Sequence, residues 1–136
     1  MAKKITWEQV GQPASQLLSP AFVTNAEGQL VFTSGSVGTD ARGQLPSDLE
    51  SQCRNAFQNL ITVLDKSGSS RDAILKVLLF ISDSAYASTV NRVYREFFPN
   101  QPARSCIVVA FPNDALKVEL ECVAQVRHKP RRWFKL

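Results

Sequence analysis

The stretch that says most about the fold covers residues 102–110 and reads Pro102-Ala103-Arg104-Ser105-Cys106-Ile107-Val108-Val109-Ala110. Its β-branched second half predicts a strand, and Arg104 stands at the start of that strand, where a side chain is half buried. Because burying an unpaired cation is costly, an arginine at such a position usually holds an anion. The anion is either a carboxylate of the protein itself or the carboxylate or phosphate of a ligand.

The next strand pattern begins at Leu116 and alternates between its two faces. One face would carry Leu116, Val118, Leu120, Cys122, Ala124 and Val126, and the other Lys117, Glu119, Glu121, Val123 and Gln125. A short Pro-Asn-Asp-Ala turn is expected to pair this strand with the one that carries Arg104. On that pairing Glu119 comes near Arg104, where it either neutralises the cation or helps it to hold a carboxylate substrate and a water.

Two helices are expected earlier in the chain. Ser47 and Glu50 spell a Ser-x-x-Glu capping box for the first helix, and Gly68 is expected to stop it. Its apolar stripe collects Leu49, Cys53, Phe57, Leu60 and Leu64, which makes Cys53 a core residue; Arg54, Asn55, Gln58 and Asn59 take the other face. Ser82 or Asp83 caps the second helix and Pro99 closes it. The stripe of this helix holds Tyr86, Val90, Val93, Tyr94 and Phe97.

The remaining segments complete the order of elements. Residues 73–81 are too apolar for a surface strand and predict a central strand covered on both faces. An extended segment over residues 16–23 is expected to turn at residues 25–28 and to return as a strand over residues 30–33. The order strand, strand, helix, strand, helix, strand, strand predicts an α+β fold, with one sheet and two helices on one of its faces. Val123 and the row Ile107, Val109 and Phe111 indicate that a partner subunit covers the other face.

The 136 residues predict a single domain over residues 1–127 and a basic tail over residues 128–136. The net charge of +4 is concentrated at the C-terminus, since residues 127–136 hold five of the sixteen Lys and Arg residues and no acidic ones. Because the rest of the chain is nearly neutral, nucleic acid is not expected as a partner. No apolar run approaches the ~20 residues of a membrane helix, so no membrane partner is expected either. Three cysteines without CxxC spacing favour reduced thiols in an intracellular protein.

Few residue types remain for catalysis. The single histidine, His128, lies in the tail, and carboxylates do not cluster beyond Glu119 and Glu121. A metal site or a Ser–His–Asp triad is therefore not expected.

Four segments together resemble the Rid family, the reactive intermediate deaminases, also called YjgF-like or L-PSP proteins. They are residues 32–35 (Phe-Thr-Ser-Gly), 89–98 (Thr-Val-Asn-Arg-Val-Tyr-Arg-Glu-Phe-Phe), 102–106 and 117–121. The resemblance implies a chorismate-mutase-like sheet of the bacillar type and a homotrimer with an inner β-barrel and clefts between subunits. It further implies hydrolysis of small 2-imino and enamino acids, such as 2-aminoacrylate, to 2-keto acids and ammonia, with no cofactor.

The same resemblance implies roles for individual residues. The catalytic residues would be Arg104, which clamps the substrate carboxylate, and Glu119, which orients the attacking water. Backbone groups at Gly35 and Cys106 would hold the imine end of the substrate. The complete substrate-binding set would be Ser34, Gly35, Asn91 and Cys106.

One departure from the family pattern keeps alternatives open. Deaminase-type members carry Gly-Pro-Tyr before the first hairpin, whereas this chain has Ser19-Pro20-Ala21, so the tyrosine hydroxyl is missing. The alternatives are a non-catalytic 2-keto-acid-binding or chaperone-like trimer, and an endoribonuclease, as the L-PSP label states. The expected location is the cytoplasm, with the mitochondrion and the peroxisome as alternatives.

Overall fold

The computed structural model describes residues 2–25 and 27–127, so the predicted tail with His128 lies outside it. Short 3-10 turns at Arg71–Ala73 and Ser84–Tyr86 precede a strand and a helix respectively. The strands are β1 (Lys3–Ile5), β2 (Ala21–Val23), β3 (Leu30–Phe32), β4 (Ser36–Val37), β5 (Ile74–Ile81), β6 (Ala103–Val108) and β7 (Val118–Gln125), and the helices are α1 (Leu49–Lys66) and α2 (Ala87–Phe97).

The main sheet is mixed and has the order β3-β7-β5-β6, with β4 also paired to β7. β5 runs parallel to β6 and antiparallel to β7. Both helices pack on one face, which confirms the α+β fold with two helices and a single main sheet. The core between sheet and helices is built from alternate strand residues and the two helical stripes: Cys53, Ala56, Phe57, Leu60, Leu64, Val77, Leu79, Ile81, Val90, Val93, Tyr94, Val118, Leu120, Cys122 and Ala124.

The other face of the sheet, called the open face below, is only partly covered within one chain. On β5 the open face carries Lys76, Leu78 and Phe80, all half-buried, so the expected cover on both faces of this strand is incomplete. Phe32 on β3 is 73% exposed, and Ile107 on β6 is 47% exposed. The apolar character of this face is thus confirmed, whereas its cover by a partner stays a prediction.

The pairing of the two C-terminal strands was predicted wrongly. β6 and β7 are not neighbours, because β5 lies between them. The chain leaves β5, crosses one face through α2 and returns parallel to β5, as a helical crossover requires. One edge of β5 is then occupied, so β7 pairs with the opposite edge.

The predicted N-terminal hairpin also does not form. β2 pairs with β1, with Val23 opposite Lys3, in a separate two-stranded sheet. β3 pairs instead with β7, with Leu30 opposite Gln125. The sequence pattern located both strands of the expected hairpin, but it could not tell which edge each would meet.

The start of α1 differs from the predicted capping box by one residue. Asp48 is the N-cap, and its carboxylate accepts a hydrogen bond from the backbone N–H of Ser51 at 2.9 Å. Glu50 faces Arg54 at 3.2 Å and Arg92 at 2.5 Å, so it links the two helices rather than closing a box with Ser47. Asp83, as expected, caps the turn that leads into α2, by accepting from the N–H of Ala85.

Candidate functional site

Arg104 lies on the helix-covered side of the sheet, at the edge strand β6. It stands opposite Val77 of β5, a fully buried core residue, so the two side chains leave the sheet on the same face. The guanidinium meets α2: its Nη1 donates to Asn91 Oδ1 at 3.0 Å, and its central carbon lies 4.7 Å from the centre of the Tyr94 ring. Arg104 is therefore held by an amide and a ring, and no carboxylate of the described residues forms an ion pair with it.

Asn91 and Tyr94 reach the same guanidinium because they are three residues apart on α2 and share one face of the helix. Tyr94 is fully buried, and the Arg104 Nε atom is buried without a hydrogen-bond partner. The sequence placed Tyr94 only in the core. Its spacing from Asn91 was the one signal that could have linked it to the arginine.

Cys106 follows Arg104 on the same face of β6 and is exposed. Partial burial raises the pKa of its thiol, while the nearby charge of Arg104 acts in the opposite direction. The thiol is thus not activated as a nucleophile, and what this position offers a ligand is a polar edge beside the guanidinium.

Glu119 lies on the open face. On β7 it stands opposite Phe80 of β5 and Val37 of β4, and its neighbours in sequence, Val118 and Leu120, are buried in the core. Its carboxylate lies against Gly35, where a Cβ atom would come within 2.5 Å of Oε2. Only a glycine leaves that space free.

The loop with Ser34 and Gly35 is exposed and is held from the helix side. Asn59 of α1 donates to the carbonyls of Val37 at 2.8 Å and Thr39 at 3.0 Å, and Asn55 donates to the carbonyl of Gly38 at 3.2 Å. Gly38 has no room for a side chain, because its α-carbon lies against the backbone of α1. These contacts anchor the segment that follows Gly35, and with it the position of Gly35 beside Glu119.

The predicted site residues therefore form two separate groups within one chain. The first, called the arginine group, consists of Arg104, Asn91 and Cys106, and the second, called the glutamate group, consists of Glu119, Ser34 and Gly35. The expected contact between Arg104 and Glu119 is wrong for a single chain, because their strands are separated by β5 and their side chains leave opposite faces.

Other places on the described part of the chain bring none of these residues together. A cavity of about 690 Å³ lies by Phe22, Asp72 and Gln125, and none of the predicted site residues lines it. Across residues 2–25 and 27–127 there is no cluster of three or more His, Cys, Asp or Glu side chains arranged for a metal ion. Within the same residues, neither helix has the length and apolar character needed to cross a membrane.

Comparison with known proteins gives a consistent result. Residues 13–126 match the family model described as Endoribonuclease L-PSP. A RutC family protein of Haemophilus influenzae is 36% identical over 104 residues, which cover 71% of this chain and 79% of that protein. A 2-iminobutanoate/2-iminopropanoate deaminase of Escherichia coli is 33% identical over 103 residues, covering 71% and 80% of the two chains. The solved structure of a Rid-family protein from Yersinia pestis, 21% identical, has the same fold, with a TM-score of 0.77 over 91% of this chain and 98% of that chain.

Proposed function

The chain belongs to the Rid family, whose sequence model carries the name endoribonuclease L-PSP, and from that premise we propose that it hydrolyses small 2-imino and 2-enamino acids to 2-keto acids and ammonia. The name of the Escherichia coli relative, an iminobutanoate and iminopropanoate deaminase, supports this class of substrate. The nearly neutral charge of residues 1–126 also favours a small anion over RNA, which requires a basic surface.

The observation that carries the proposal is the separation of the arginine group from the glutamate group. Each group holds one half of what the reaction needs: a guanidinium for the substrate carboxylate, and a carboxylate for the attacking water. Since the two halves leave opposite faces of one sheet, a complete site takes Arg104 from one copy and Glu119 from another. We therefore place the site in a cleft between subunits of a homotrimer.

The exposed apolar side chains support the same assembly. Phe32 is 73% exposed and Ile107 is 47% exposed on the open face, and Val108 is 53% exposed at the free edge of β6. Burying such residues against a second copy removes apolar area from water. In the proposed trimer the open faces of the sheets come together as an inner barrel, and the glutamate groups lie at its subunit boundaries.

In the proposed reaction Arg104 clamps the substrate carboxylate and the backbone groups at Gly35 and Cys106 hold the imine nitrogen. Glu119 orients a water and accepts its proton as the oxygen adds to the imine carbon. The proton returns to the nitrogen, the C–N bond breaks, and ammonia and a 2-keto acid leave. The imine carbon is already electrophilic, so positioning and electrostatic stabilisation provide the catalysis.

The experiment that tests this arrangement uses two inactive variants, Arg104→Ala and Glu119→Gln, produced separately and together in one cell. Separately, each is expected to assemble but to release no ammonia from enzymatically generated 2-aminoacrylate above background. Produced together, they form mixed trimers in which about one site in four combines an intact Arg104 with an intact Glu119, so about a quarter of the wild-type activity returns.

Two controls make the result unambiguous. The purified single variants mixed without exchange of subunits should stay inactive. If the co-produced proteins form mixed trimers but recover no activity, sites shared between copies are excluded. Full activity in Arg104→Ala alone would contradict the proposed reaction itself.

A further inference from the structure

Arg104 has an unusual environment for a residue that must bind an anion. Its guanidinium lies over the ring of Tyr94 at 4.7 Å, and Tyr94 is fully buried in the aromatic cluster between the two helices. The Tyr94 ring is locked there by Phe57, with ring centres 5.8 Å apart, and by Phe98, at 4.8 Å. An immobile ring under a guanidinium restricts the plane in which the cation can lie.

The hydrogen bonds of Arg104 then restrict its rotation within that plane. Nη1 donates one hydrogen to Asn91 Oδ1 at 3.0 Å, while Nε is buried and makes no hydrogen bond. An anion therefore meets the end of the guanidinium, where Nη2 and the second hydrogen of Nη1 point away from Asn91. This is the geometry in which a carboxylate accepts two parallel hydrogen bonds.

We infer that Tyr94 is the positioning residue of the carboxylate clamp: the face of its ring holds the Arg104 guanidinium in the plane that binds a carboxylate end-on, and Asn91 sets its rotation. The inference rests on the proposed function, and it changes the role expected for Asn91, whose amide oxygen is engaged by Arg104. The ring, and not the phenolic hydroxyl, performs this role. That hydroxyl is buried without a hydrogen-bond partner.

The first test does not depend on activity. In a ¹⁵N NMR spectrum of the wild-type protein, the Nε–H signal of Arg104 is assigned by its loss in Arg104→Lys. We expect it to be shifted upfield by the Tyr94 ring current and protected from exchange with water, because Nε is buried. The Nε–H of Arg42, which lies on an exposed loop, serves as the unprotected reference. An Arg104 signal with the shift and exchange rate of Arg42 would overturn the inference.

The second test separates the ring from the hydroxyl. Tyr94→Phe keeps the ring and is expected to keep wild-type KM and wild-type affinity for pyruvate, the probe used here as a simple 2-keto acid. Tyr94→Leu removes the ring and is expected to raise KM and weaken pyruvate binding by about tenfold, the scale of a desolvated cation–π contact, with a smaller change in kcat.

Phe57→Leu is the matched control, because Phe57 is equally buried and belongs to the same aromatic cluster. It is expected to lower stability but to leave KM and pyruvate affinity unchanged. If it changes KM as much as Tyr94→Leu does, or if Tyr94→Leu binds pyruvate like the wild type, Tyr94 is only a core residue. If Tyr94→Leu does not fold, the wild-type NMR signal and Tyr94→Phe still decide the question.

The outcomes also separate this inference from the proposed function. A shifted, protected Arg104 signal in a protein that neither binds pyruvate nor turns over imines would overturn the deaminase proposal and the clamp together, leaving only the packing. Normal turnover with an unshifted, unprotected signal would overturn the role of Tyr94 alone.

Discussion

Arg104 and Glu119 leave opposite faces of one sheet, and β5 lies between the strands that carry them. Each has its own local support: Asn91 and Tyr94 hold the guanidinium, and Gly35 makes room for the carboxylate. Because the two groups are built independently, substitutions in one are expected to leave the structure of the other intact.

Replacing Arg104 by lysine is expected to lower kcat/KM about a hundredfold or more, although the positive charge remains. An ammonium cannot present two parallel N–H groups to a carboxylate, and it cannot lie flat on the Tyr94 ring. The measurement is steady-state ammonia release from 2-aminoacrylate. Arg92→Lys is the matched control, since Arg92 lies on the same helix as Asn91 but pairs with Glu50 at the surface. Equal losses in both variants would contradict the assignment.

Gly35→Ala is expected to reduce activity strongly with little loss of stability. The new Cβ would come within 2.5 Å of Glu119 Oε2, and the flexible carboxylate can rotate away, but it then no longer faces the water. Gly35 does not have a positive φ, so the backbone accepts alanine. Thermal melting and turnover are measured together.

Gly43→Ala provides the opposite control for Gly35→Ala. Gly43 has φ +75° and nothing within 4 Å of an added Cβ, so alanine there costs about 1 kcal/mol of stability through backbone strain and leaves activity unchanged. Wild-type activity in Gly35→Ala would show that Glu119 need not keep its position.

Asp48→Ala is expected to lower the free energy of unfolding by about 1 kcal/mol, because it removes the carboxylate that accepts from the Ser51 N–H. Ser47→Ala should change it by less than about half of that, since Ser47 does not cap the helix. Urea unfolding of both variants measures the difference. A larger effect at Ser47 would restore the capping box that the sequence indicates.

Gln52→Leu is expected to destabilise the protein by about 2–4 kcal/mol in spite of the added apolar volume. The buried Gln52 amide donates to the carbonyls of Pro46 at 2.7 Å and Ala115 at 2.9 Å, and its oxygen accepts from the N–H of Lys117 at 3.0 Å. Leucine leaves these backbone groups without partners. Gln58→Leu, at an exposed position of the same helix, should have little effect on urea unfolding. Similar midpoints for the two variants would contradict this role.

The stability of the protein is expected to fall at alkaline pH, in part through Cys53. Burial raises the pKa of its thiol to about 12, whereas a thiol in an unfolded chain ionises at about 8.5. Between these values the unfolded chain releases a proton that the folded chain keeps, so the free energy of unfolding decreases as pH rises. Below about pH 8.5 the contribution is fully present.

Cys53→Ala should therefore show a smaller loss of stability between pH 8 and pH 10 than the wild type, measured by urea unfolding under reducing conditions. Cys106→Ala is the control, since Cys106 is exposed and its shift is smaller. An unchanged pH dependence in Cys53→Ala would rule out this source of alkaline sensitivity.

Local patterns were sufficient to predict the elements and their buried faces. The stripe from Leu49 to Leu64 and the alternation along β7 predicted the core correctly, because helical and strand periodicities depend only on neighbouring residues. The cap of α1 was missed by one residue, since both Ser47 and Asp48 can accept the required hydrogen bond and packing selects between them.

The candidate site was predictable only as a set of residues. Arg104, Asn91, Cys106, Ser34, Gly35 and Glu119 were named from the sequence, and their catalytic and binding roles stay predictions. Their division into two groups was not predictable, because it depends on which edge of β5 each C-terminal strand takes.

The sequence by itself thus determined the elements, the buried face of each one and the family to which the chain belongs. The tertiary structure decided the strand order, the opposite orientations of Arg104 and Glu119, and the contact between Arg104 and Tyr94. The physical reason is that periodicity is a short-range property, while strand order follows from the crossover through α2 and from competition for the edges of β5.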